Sequence, residues 1–123
     1  MAFQKSISLP TGVTADYFRI STFSWDRNSR EAQAYFALYL NAQTAVTGQA
    51  LVPIIAKLRL YGARFDQYLG TAALHSSDND ILAQLYLAAR AACVTYEAQG
   101  TADPEAIVIC DYGKDIFANA QDV

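Results

Sequence analysis

The sequence predicts an α+β fold: an antiparallel β-sheet or small sandwich of about four to six strands, with one long helix from the C-terminal half packed on it. Three observations predict this. Short runs between Phe3 and Leu40 alternate apolar and polar residues, the period of a half-buried strand. Two turn signals, Pro10-Thr11-Gly12 and Asp26-Arg27-Asn28-Ser29, separate those runs, because proline presets φ while glycine and Asx residues tolerate the turn conformations. Residues 78 to 99 switch to helical spacing, with Ile81, Leu85, Ala88, Ala92 and Tyr96, joined by Leu82, Ala89 and Cys93, on one stripe.

Each element follows from its residues. Phe3, Ile7 and Leu9 alternate with Gln4, Ser6 and Ser8 in a first strand that ends at Pro10 and Gly12. Val13, Ala15 and Tyr17 start the second, whose apolar phase flips at Tyr17-Phe18, continues through Ile20 and flips back to Phe23 and Trp25. One extra residue in a β-bulge produces that pattern. In the third run Ala32, Ala34, Phe36, Leu38 and Leu40 share one face, with Glu31, Gln33, Tyr35, Ala37, Tyr39 and Asn41 on the other. Residues 31 to 42 are also rich in helix formers, and Ser29 is a possible cap; here period outranks propensity. Residues 41 to 49 are polar and small and read as a loop. Val52, Ile54, Ala56, Leu58 and Leu60 then alternate with Pro53, Ile55, Lys57, Arg59 and Tyr61 in a fourth strand, with proline at its opening edge.

Residues 62 to 70 are either a connector or a fifth strand, and the sheet is expected to end near them. The long helix is expected to open at Ser77, with Asp80 three residues later in capping-box-like spacing, and to close near Gly100 in the left-handed conformation. Asp103-Pro104-Glu105 resembles a helix start, whereas Ile107-Val108-Ile109 is β-branched and favours a strand. Tyr112 to Val123 is expected as a short terminal helix with Ile116 and Phe117 facing inward. No repeat or linker divides residues 1 to 123, which read as one domain.

The chain has 123 residues, 53% of them hydrophobic and only 17% charged. That composition excludes a disordered polyelectrolyte and leaves more apolar surface than a small monomer hides easily. Eight tyrosines add residues suited to contact surfaces. A net charge of −3 with nine scattered basic residues argues against sequence-independent nucleic-acid binding. Cys93 and Cys110 form no CxxC pair and His75 is the single histidine, which excludes a zinc knuckle within one subunit; two buried free thiols are expected, with a bond between the two as the alternative. No signal-like apolar segment and no membrane-length apolar run occur, so a soluble, cytoplasmically made chain is expected, with no membrane partner.

No catalytic signature is present. The six glycines are isolated and no Gly-x-Ser-x-Gly elbow occurs. His75 adjoins Ser76 and Ser77, but neighbouring loop residues rarely form a nucleophile–base pair. Asp78 and Asp80 suit a helix N-terminus, and the run from Ser76 to Asp80 lacks the central glycine and distal glutamate of a calcium loop. No catalytic residue, cofactor or metal is therefore expected. Trp25, followed by Arg27 and Arg30 on a polar tip, has the makings of a protein-contact hot spot or of a half-buried sheet end. Asp111, Asp115 and Asp122 give the tail an acidic cast, suited to solvent or to a basic patch on a neighbour.

Phe3 to Leu9, Gly12-Val13-Thr14-Ala15-Asp16-Tyr17-Phe18-Arg19-Ile20 and the closing Phe117-Ala118-Asn119-Ala120-Gln121-Asp122-Val123 together resemble small virion proteins of tailed bacteriophages. The likeness covers about the first forty and the last twelve residues; the helix of residues 78 to 99 and the Asp103-Pro104 segment look like additions to that pattern. The resemblance implies a non-enzymatic virion subunit, made in the host cytoplasm and packed in many copies into a tail, baseplate, fibre-attachment or neck assembly. Its implied partners are its own copies and other virion proteins, through Trp25, Arg27, Arg30, Tyr35 and Tyr39. The alternatives are a capsid decoration (cement) protein and, outside that class, a cellular ligand-binding or adaptor domain; an enzyme comes last.

Overall fold

The alternating runs of the first half form strands. In the computed structural model, which describes residues 2–78 and 80–123, β1 (Phe3–Ser8), β2 (Thr14–Asp26) and β3 (Glu31–Tyr39) are joined through the two turn signals. Helix α1 (Ala42–Val46) leads to β4 (Val52–Tyr61), followed by α2 (Gly62–Leu69), α3 (Thr71–Ser76) and α4 (Ile81–Gln99). The chain then returns as β5 (Ala106–Cys110) and β6 (Gln121–Asp122). These six strands form one sheet in the order β5-β4-β3-β2-β1-β6, with every neighbouring pair antiparallel. The fold is a mixed α and β architecture with one long C-terminal-half helix, built on a single sheet and not a sandwich.

Period does outrank propensity in β3. Ala32, Ala34, Phe36 and Leu38 are all buried, because burying one face of a pleated strand outweighs local helix preference. The bulge in β2 is present too. Ile20 pairs with Phe36 and Thr22 with Tyr35, leaving Ser21 as the extra residue. Phe23 and Trp25 thereby stay on the helix-facing side with Phe18 and Ile20.

Five expectations need correction. The sheet does not end near residue 70, since β5 and β6 extend it at opposite margins. Residues 41 to 49 are not all loop: Asn41 caps α1 through a reciprocal capping box with Thr44. Residues 62 to 70 are neither connector nor strand but α2, which buries Phe65 and Leu69 one turn apart. Asp80, not Ser77, caps α4 by accepting the Ala83 N–H at 3.0 Å; Ser77 ends α3. The tail buries Ile116 and Phe117 as expected, but through turns leading into β6 rather than a helix. At residues 103 to 110 the strand alternative prevails from Ala106 to Cys110, preceded by a turn at Pro104-Glu105 rather than a helix start.

The core lies between the helix-facing side of the sheet and α4. That helix contributes Leu85, Tyr86, Ala88, Ala89, Ala92 and Cys93, a stripe whose alanines allow close approach. Phe3, Phe36, Phe117 and Tyr86 form an aromatic cluster with ring centroids 4.7 to 6.0 Å apart, the range in which such pairs add to area burial. The Tyr86 hydroxyl accepts the Ile20 N–H at 2.8 Å, so α4 satisfies a backbone donor beside the β2 bulge. Burial raises the pKa of this phenol to about 12. Gly100 closes α4 at φ 73°, the left-handed position expected there.

Candidate assembly surface

The β2–β3 hairpin tip is held by its own side chains. Asp26 Oδ1 accepts the N–H groups of Asn28 at 2.8 Å and Ser29 at 3.3 Å, an Asx-type closure. Arg30 occupies φ 57°, and its carbonyl accepts the Gly62 N–H at 3.1 Å. Its guanidinium makes a forked contact with the Asp66 carboxylate of α2, and this hydrogen bonding, followed by the carboxylate's charge, raises the arginine's pKa above its ordinary value. Trp25 is half-buried, its ring 6.2 Å from that of Phe65, while the Arg27 guanidinium stacks 5.0 Å above the indole. Trp25, Arg27 and Arg30 are thus brought together, and two of the three fasten the hairpin to α2.

Tyr35 and Tyr39 lie on the other side of the sheet. Tyr35 is half-exposed; its O–H donates to Gln33 Oε1 at 2.9 Å, and the Lys57 ammonium lies 5.3 Å from its ring centre. Tyr39, expected among the exposed contact aromatics, is only 4% exposed. It packs in a small second cluster with Ala37 and Ala45 of α1, under the Arg19 guanidinium and edge-on to Tyr17. The helix missed at 42 to 46 is what covers it. The five expected contacts therefore do not form one patch.

Sequence reasoning missed other candidates. β1 pairs with β2 only up to Phe3 opposite Phe18, so the β1-facing edge of β2 has no strand partner from Arg19 to Asp26 among the described residues. Phe23 on that stretch is 39% exposed, and Leu82 of α4 is 44% exposed. Leu82 shares a cleft of about 410 Å³ with Arg19, Ile20, Ser21, Tyr39 and Tyr86. At the opposite margin Ile54 is 57% and Ile109 46% exposed, flanking a second hollow with Lys57 and Cys110. The signal for the β2 edge was available: six residues of β1 cannot pair with all thirteen of β2.

Little else has a chemical arrangement. His75 is exposed, and Asn79, part of the loop weighed for calcium, lies outside the described residues. Cys93 and Cys110 are free; Cys93 is buried, which raises its pKa to about 11, and Cys110 is half-buried, less than expected. Asp122 of the acidic tail pairs with Arg90 at 3.0 Å. Among the described residues no group of three or more His, Cys, Asp or Glu side chains is placed to hold a metal, and no helix is long and apolar enough to cross a membrane. Comparison of the chain with protein-family models, curated proteins and solved structures finds no match in any of the three.

Proposed function

We propose that this chain is a non-enzymatic structural protein of a tailed-phage virion, a tail, baseplate or fibre-attachment component that acts by binding its own copies and other virion proteins. The observation that carries the assembly part is the placement of exposed large apolar side chains at two open strand edges of one sheet: Phe23 on the unpaired stretch of β2, and Ile54 and Ile109 at the β4–β5 margin. Apolar residues beside open strand margins are what associating sheets use. The virion part rests on the likeness of the two chain ends to small phage virion proteins.

The test has two arms. Sedimentation of the purified chain is expected to show a defined oligomer, and mass spectrometry of density-purified particles is expected to find the chain in tail fractions. A chain confined to head fractions reassigns it to capsid decoration. A strict monomer missing from all particles overturns the proposal.

A second reading has one observation in its favour. The cleft at the β2 bulge has the size of a small-ligand site and is lined by Arg19 and two tyrosines. Saturable binding of a small anion by a monomeric chain would favour a ligand-binding or adaptor domain.

A further inference from the structure

β2 presents a backbone edge that has no strand partner among the described residues. The Tyr86 hydroxyl takes the Ile20 N–H, and past that point Ser21, Thr22, Phe23, Ser24 and Asp26 are exposed. Natural edges are blunted by lysine, proline or a covering loop. Thr22 to Trp25 contains no charge and no proline, and its threonine and aromatic residues favour pairing.

The geometry points to this edge as the contact between two copies of the chain, each adding its Arg19–Asp26 segment to the other's sheet about a two-fold axis at Phe23. The inference rests on the reading of the chain as self-assembling. A two-fold contact must be self-complementary, and paired residues must share a face. β3 already counts Ser21 and Thr22 as one position. With that count, Phe23 lies opposite the partner's Phe23, Thr22 opposite the partner's Ser24 and Ile20 opposite the partner's Trp25. Arg19 then lies opposite the partner's Asp26.

Apolar residues meet apolar ones on the helix-facing side, and polar residues meet on the outer side. The charges match as well. Arg19 makes no ion pair within the chain among the described residues, and Asp26 uses only Oδ1 in its turn, leaving Oδ2 for a guanidinium. A slip of one position sets polar faces against apolar ones; a slip of two leaves Arg19 and Asp26 without opposite charges across the seam.

Cysteine scanning under mild oxidation tests the register in the full chain, with the natural protein and its two cysteines as the control. Phe23→Cys is expected to give a covalent dimer that reductant removes, since only this position faces itself. Thr22→Cys and Ser24→Cys are each expected to cross-link poorly alone and well when mixed. Phe23→Lys, which sets like charges opposite each other, is expected to keep the circular dichroism spectrum and raise the dimer dissociation constant by about tenfold or more. Self-association that survives Phe23→Lys unchanged, or the absence of the Phe23→Cys cross-link in a chain that still associates, overturns this interface and leaves the assembly reading standing. A natural chain that stays monomeric at high concentration overturns both.

Discussion

The two halves of β2 differ in almost everything but their continuity. From Thr14 to Phe18 the strand has β1 beside it, with β3 on its other side from Tyr17 onward, and Ala15 and Phe18 are fully enclosed. From Ser21 to Asp26 it has β3 on one side only, and its aromatic side chains are half-exposed. Composition does not cause the difference, since both halves mix apolar and polar residues. The cause is the neighbour: β1 runs out while β2 continues, so one strand serves first as core and then as margin. Phe18 and Phe23 share a face and a residue type and still have opposite roles.

The largest expected effect exploits that pair. Phe18→Ala removes a fully buried ring and is expected to destabilise the chain by about 3–5 kcal/mol, read as a drop in the urea midpoint. Phe23→Ala, at 39% exposure, is expected to change folding stability by less than about 1 kcal/mol while weakening self-association. Equal losses of stability would show that the second half of β2 is core after all.

The junction between the halves gives the next effect. Tyr86→Phe keeps the ring in the aromatic cluster but leaves the Ile20 N–H without its acceptor, an expected loss of about 1–3 kcal/mol. The same phenol gives a pH signature. Its folded pKa is raised from 10.0 to about 12, chiefly by burial, so the folded state holds the proton more firmly than the unfolded chain. That contribution is fully present below pH 10 and is lost as pH rises through about 12. Urea midpoints of the natural chain and the phenylalanine variant should therefore converge across that window; a constant gap would mean that the hydroxyl is not enclosed.

Sequence legibility follows the same division. β3 and the β2 bulge were readable because period two and its phase reversal are local signals, written in Ala32 to Leu38 and in Ile20 to Phe23. α4 was readable from its spacing, but its start was not, because Ser77 and Asp80 are both capable caps and Ser77 serves the end of α3. α1 and α2 are five and eight residues long, too short for a periodic signal, although Asn41 with Thr44 and Phe65 with Leu69 were the available marks. The burial of Tyr39 depends on α1 folding over it, and the free β2 edge depends on where β1 stops. Both are facts about neighbours, which alternation along one strand does not encode. The hairpin-tip residues were found as a group, but their ties to Phe65 and Asp66 lie about forty residues away in the chain.

The smallest effect tests how firmly the exposed half of β2 is attached. Arg30 and Asp66 are each about half-exposed, and an ion pair in that setting gains little from Coulomb attraction and is screened by salt. Asp66→Ala removes it, but the tip keeps the Trp25 ring against Phe65 and the Gly62 N–H on the Arg30 carbonyl. The urea midpoint should move less than for any substitution above. The hairpin should keep its shape, because a backbone hydrogen bond and a ring contact fix the tip where the charge pair only decorates it. Hydrogen exchange at Asn28 and Ser29, whose amides close the turn on Asp26, checks this: unchanged protection supports the backbone and ring as the anchor. Selective loss of protection would make the ion pair the element that holds the margin of the sheet in place.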